Sequence, residues 1–205
     1  MAANNFDGIW MYVKDNDYYG EPRYIIFDND KAVRFDIETE KDGTLQLKEN
    51  GIVEEMTAIR HEFITPDRLR FFTKTIHYFV YEDESQNTTE ETELAEEYLR
   101  LEPTETSLTK EEIQNNSYLA QWNKEKLQIR FNTTLDSEII QEINKKNNRE
   151  GRKLVVEQLG DTLFLCFLNN SQRELLLPIK TIDQEKIVLQ GYPSQPFEIT
   201  GTRIR

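Results

Sequence analysis

Cysteine and histidine are scarce in this chain. Its 205 residues hold one cysteine, Cys166, and two histidines, His61 and His77. A lone cysteine closes no internal disulfide, so folding requires no oxidising compartment. Cys166 sits in the apolar run 163–168 and reads as a buried, inert thiol. No Cys/His spacing matches a zinc site. His61 and His77 could meet across a hairpin, but a metal would need a third ligand, with Glu55 or Glu62 nearest in sequence. Neither a metal nor a cofactor is expected. Eight glycines and six prolines exclude collagen-like and Pro/Gly-rich classes. No apolar stretch approaches the roughly 20 residues of a membrane-spanning helix, so no membrane span is expected. Residues 1–6 lack the basic and apolar segments of a secretory signal, so the expectation is a cytoplasmic protein or one whose signal has been removed. There is no Gly-rich phosphate loop and no Gly-x-Ser-x-Gly turn, and Cys166 has no electropositive neighbours in sequence. The expectation is a protein without catalytic residues, not an enzyme.

Charge, by contrast, is abundant and uneven. Acids outnumber bases 38 to 25, a net charge of −13. Twelve of the acids, against two bases, lie between Glu82 and Glu112. The densest basic patch is Lys145, Lys146, Arg149, Arg152 and Lys153, diluted by Glu142 and Glu150. Nucleic-acid binding needs a basic stripe that displaces phosphate counterions, so no nucleic acid is expected. An acidic surface instead steers a basic protein partner. The residues expected to form it are Glu82, Asp83, Glu84, Glu90, Glu91, Glu93, Glu96 and Glu97.

The dominant hydrophobic period is two. Val33, Phe35 and Ile37 alternate with Arg34, Asp36 and Glu38, and Leu127, Ile129 and Phe131 alternate with Gln128 and Arg130. That is a strand with one face in a core and the other in water. Further strands are expected near 8–14, 22–28, 44–48, 52–64, 68–73, 75–82, 95–102, 153–159, 162–169, 173–180, 186–191 and 196–204, with a polar loop at 82–94. Asp28-Asn29-Asp30, Lys41-Asp42-Gly43, Glu49-Asn50-Gly51, Thr65-Pro66-Asp67, Leu159-Gly160-Asp161 and Asn169-Asn170-Ser171 read as turns. The expected fold is all-β: an antiparallel up-and-down barrel or sandwich in one domain spanning 1–205, with 103–123 the candidate boundary between two β-rich halves.

Two short helices interrupt this pattern. Thr109-Lys110-Glu111-Glu112 is a capping box opening a helix near 110–119, with Ile113, Tyr118 and Leu119 inward. Asp136 as N-cap opens a second helix at 137–147, whose Ile139, Ile140 and Ile143 stripe is expected to plug the core.

Phe6-Asp7-Gly8-Ile9-Trp10 places Gly-x-Trp at the head of the first strand, and Gly201-Thr202-Arg203 closes the chain. With a hairpin-linked barrel between them, the chain resembles the lipocalin-like (calycin) proteins. The resemblance implies that Trp10 floors the barrel, that Arg203 stacks on it and that Gly8 permits the tight entry. It also implies a bore lined by Phe27, Phe35, Phe71 and Phe79 with Tyr24 or Tyr78 as polar anchors, which either carries a small apolar ligand or is filled by these bulky rings so that nothing binds. Two functions thus compete: an acidic inhibitor or immunity-type protein that binds a basic protein, and a carrier of a small apolar molecule.

Overall fold

The computed structural model describes residues 5–13, 23–40, 44–82, 84–122, 124–191 and 198–204. The fold is all-β with two short helices. Its strands are β1 (Ile9–Val13), β2 (Tyr24–Asp28), β3 (Lys31–Thr39), β4 (Leu45–Glu55), β5 (Arg60–Thr65), β6 (Arg68–Phe79) and β7 (Thr88–Arg100). After helix α1 (Lys110–Gln114) come β8 (Ser117–Trp122) and β9 (Glu125–Arg130). Helix α2 (Glu138–Lys146) then leads into β10 (Arg152–Leu159), β11 (Thr162–Asn169), β12 (Gln172–Ile182), β13 (Lys186–Gln190) and β14 (Glu198–Arg203). They form one open sheet in the order β5-β6-β7-β1-β2-β3-β4-β10-β11-β12-β13-β14-β8-β9. Two runs of seven strands stand side by side in that order. Each brings its last strand back to pair antiparallel with its first, β7 on β1 and β14 on β8. Among the described residues, the strands of the two runs pair at one parallel position, Leu45↔Leu159. Successive hairpins account for nearly all other pairings, as the period-two pattern and polar turns demand.

Strand alternation decides which core each residue enters. On β1, Trp10 enters an aromatic cluster inside the first run with Ile25, Leu69, Phe71 and Tyr98. Its neighbours Met11 and Val13 enter the larger core, which they share with Tyr118, Ile129, Leu154, Phe164 and Leu176 of the second run. Strand β1 is therefore covered on both faces. Cys166 is fully buried in the larger core. A hydrogen bond also ties the runs together: Arg173, held by both Glu157 oxygens at 2.6 and 3.0 Å within the second run, donates to Thr39 Oγ1 of the first at 2.5 Å.

The expected turns at Asn29, Gly160 and Asn170-Ser171 form with positive φ at those residues. The turn at 41–43 lies outside the described residues. Asn50-Gly51 does not end a strand. It sits inside β4, where the register against β3 slips between Val33 and Phe35, so the glycine serves a bulge. The expected strand 52–64 is broken by a 3-10 turn at Met56–Ala58. The polar segment 82–94 is not a loop throughout, because β7 begins at Thr88 and β6 runs unbroken to Phe79. Helix α1 has its capping box, with the Glu112 N–H donating to Thr109 Oγ1 at 3.3 Å and the Thr109 N–H donating to Glu112 Oε2 at 2.7 Å. It is shorter than expected: Ile113 is buried, whereas Tyr118 and Leu119 belong to β8.

Candidate functional site

Strand β6 pairs with β7 from Arg68↔Leu99 out to Phe79↔Thr88. Strand β5 covers β6 only as far as Phe72, and β1 covers β7 only from Glu97. From Thr73 and Leu94 outward, the two strands are each other's partners among the described residues. The result is a two-stranded arm with both faces in solvent. Its residues Ile76, Tyr78, Phe79, Val80 and Tyr81 are large, apolar and exposed, Tyr78 to 72% and Val80 to 78%. Between residues 74 and 93 there are six acids and one lysine.

The expected acidic surface divides along this arm. Glu90, Glu91 and Glu93 are exposed on its outer part, with Glu91 paired to Lys74 and Glu93 to Arg60. Glu82 is exposed beyond β6, Glu84 opens the 3-10 turn Glu84–Gln86, and Asp83 lies outside the described residues. Glu96 and Glu97 do not belong to the open surface. Glu96 accepts from Arg34 at 3.1 Å, from Arg23 at 3.2 Å and from the Tyr98 hydroxyl at 2.9 Å, while Arg34 also pairs with Glu54. Glu97 pairs with Arg70 and, at 3.8 Å, with Arg68. Burial, reinforced by the Glu96 carboxylate, pushes the Tyr98 hydroxyl far above its ordinary value, so it remains a donor. These two glutamates neutralise arginines of the fold.

The expected ligand bore is not assembled. Phe27 and Phe71 join the aromatic cluster, Tyr24 and Phe35 pack in the larger core, and Tyr78 and Phe79 lie on the arm. Tyr24 and Phe27 are three residues apart on one strand, so they face opposite sides. Phe79 shares a face with Phe71 but lies beyond the end of β5. The interior they were expected to line is filled by rings: Phe6 lies 4.6 Å from Phe27 and 5.0 Å from Phe63, and Phe71 lies 5.5 Å from Tyr98. His61 borders this cluster, 5.0 Å from Phe6, whereas His77 sits on the arm 2.9 Å from Thr92 Oγ1. No group of three or more metal-binding side chains occurs among the described residues.

The cation over Trp10 is Arg100, not Arg203. Its guanidinium carbon lies 4.8 Å from the ring centroid, and it donates to the carbonyls of Asn5 and, at 2.8 Å, Pro66. Arg203 sits on β14, which pairs with β8 and β13, and donates to the carbonyl and side chain of Gln184. Gly8, at φ +104°, turns the chain beside Arg100.

Helix α2 departs most from expectation, because it is attached by its polar face. Asn144 donates to Asp136 Oδ2 at 2.9 Å and Gln141 to the Asp136 carbonyl at 2.8 Å. Asp136, its side chain only 1% exposed, also accepts from the Arg152 backbone at 2.9 Å and the Arg152 guanidinium at 2.6 Å. A side chain at Gly151 would meet Asp136 at 2.3 Å, so only glycine fits beside the clamp. Asp136 is thus the clamp, and Ser137 stands at N-cap. The Ile139, Ile140 and Ile143 stripe faces solvent instead of plugging the core, Ile139 with 73% exposure.

Sequence reasoning missed the arm, though a signal was there. Residues 88–93 hold no apolar side chain. A strand without an apolar face cannot line a core, and its partner is drawn outside with it. The chain matches no family model, no curated protein and no solved structure.

Proposed function

We propose that this chain is a non-enzymatic binding protein whose β6–β7 arm docks on a basic protein partner. The observation that carries this reading is the exposed strip Ile76, Tyr78 and Val80 on a ribbon with six acids and one lysine. Apolar side chains held in solvent on an extended element mark an interaction surface, and the surrounding carboxylates select and steer a cationic partner. An inhibitor or immunity-type role fits such an arm. The test is affinity capture from host extract with the wild type and with a Tyr78→Ser/Val80→Ser variant. Proteins retained only by the wild type should have a pI above about 9. Equal retention by both proteins, or arm-dependent partners that are acidic, would contradict the reading.

A second reading, carriage of a small apolar molecule, draws support from the second run. A pocket of about 200 Å³ there is lined by Leu127, Leu154, Leu165, Phe167, Leu175 and Leu177. The pocket is partly open, with Lys126 also in its lining, and its size and apolar walls suit a benzene-sized molecule. Toluene should raise the melting temperature of the wild type and not that of Leu175→Trp, which fills the space. Equal shifts would remove this reading.

A further inference from the structure

The arm has a counterpart on its own chain. Helix α2 presents Ile139, Ile140 and Ile143 outward, next to Lys145, Lys146 and Arg149. Among the described residues no acid forms an ion pair with those three cations. Protein helices normally bury the apolar stripe and expose the polar one. Here the reverse orientation is held in place by the Asp136, Asn144 and Arg152 clamp, so the exposed stripe is a built feature, not a frayed one. The nearby residues Leu135 and Ile140 are exposed to 39% each and widen the patch.

The arm offers the complementary surface. Ile76 and Tyr78 share a face of β6 opposite Glu91 and Thr89, and the exposed Val80 follows just past the end of the strand. Apolar strip would meet apolar strip, and a basic flank would meet an acidic one. We infer that the surface of α2 receives the β6–β7 arm of a second copy of this chain, so that copies associate head to tail. This rests on the reading of the arm as a docking surface and gives it one definite occupant. An anionic membrane is the weaker fit to α2, because membrane-binding basic clusters carry about four to eight Lys or Arg and this surface offers Lys145, Lys146 and Arg149.

The contact has two different faces, so copies add head to tail until the rotation between them closes a ring. Both strips are short, which places the contact among small transient interfaces below about 1,200 Å². Association is expected at roughly 10–500 μM. The net charge repels copies at long range, and at about 0.15 M salt, where the Debye length is about 8 Å, only the touching faces count.

Sedimentation of the full chain over that range tests the inference, using three proteins. The wild type should show a mass that rises above 24.3 kDa with concentration. The helix variant Ile139→Ser/Ile143→Ser and the arm variant Tyr78→Ser/Val80→Ser should each stay monomeric. All four positions are solvent-exposed, so both variants should fold, and circular dichroism verifies that. Mixed in equal amounts, the two variants should form a dimer that grows no further, since each retains the face the other lost. A wild type that stays monomeric, variants that still associate, or a mixture that stays monomeric would each overturn it. So would helix-dependent flotation with phosphatidylglycerol vesicles by a protein that never self-associates. If the wild type stays monomeric yet captures basic proteins through the arm, the inference falls and the arm reading stands. If copies associate and no basic protein is captured, the foreign partner falls instead.

Discussion

Arg100 lies over the face of Trp10, its guanidinium carbon 4.8 Å from the ring centroid, joining the last strand of the first run to its first. The same side chain donates to two backbone carbonyls, those of Asn5 and Pro66. Replacing it with Met keeps the stem and removes the cation–π contact and both charged hydrogen bonds. The expected cost is about 2 kcal/mol, with a change in Trp10 fluorescence. Arg203→Met should leave the melting temperature nearly unchanged. Equal losses in the two variants would show that Arg100 has no special role at Trp10.

The glutamates of the acidic segment should separate into two classes. Glu96→Ala leaves Arg34, itself 8% exposed, with Glu54 as its remaining carboxylate, at a cost of roughly 2–3 kcal/mol. For a chain of this size that lowers the melting temperature by roughly 4–12 °C. Glu91→Ala removes an exposed pair with Lys74 and should leave the melting temperature unchanged. Thermal melts of the two variants provide the comparison.

Helix α2 should loosen in acid. The hydrogen bond from the Arg152 side chain holds the Asp136 carboxyl below the usual carboxylate range, with the Arg152 backbone and Asn144 adding to it against the opposing effect of burial. A carboxyl with a depressed folded value contributes stability above its unfolded value near 3.9, and loses it as pH falls through the folded value. Asp136→Asn should therefore be less stable than the wild type at pH 6, by about 1 kcal/mol given the half-exposed Arg152. The difference should be smaller at pH 3 than at pH 6. Melts at the two pH values check the sign.

The isoleucines of α2 should tolerate polar replacement. Ile139→Ser and Ile143→Ser remove no buried contact, so each melting temperature should stay within about 2 °C of the wild type. Leu176→Ser, in the larger core, should unfold the protein or come close to it. A large loss at Ile139 would mean that its stripe is covered.

Much of the fold was legible because alternation and turn chemistry are local. The Asn29, Gly160 and Asn170 turns and the Thr109 capping box depend on residues a few positions apart. What sequence hides is the partner of each face. Trp10 and Met11 are both fully buried, and only the strand order shows that one faces the aromatic cluster and the other the second run. Gly-x-Trp pointed to a stacked arginine, and the arginine comes from the end of the first run because that is the strand that returns to β1. The amphipathic pattern of α2 marks a stripe but not the side on which the helix is anchored. That was decided by Asp136, Asn144 and Arg152, whose meeting requires Gly151.

The arm as a binding element can be tested by removing it. Residues 75–92 replaced by Asn-Gly would join the paired residues Lys74 and Glu93 through a tight hairpin turn. The shortened chain should melt within a few degrees of the wild type and lose its arm-dependent basic partners. A chain that unfolds, or one that still captures the same partners, would contradict the account.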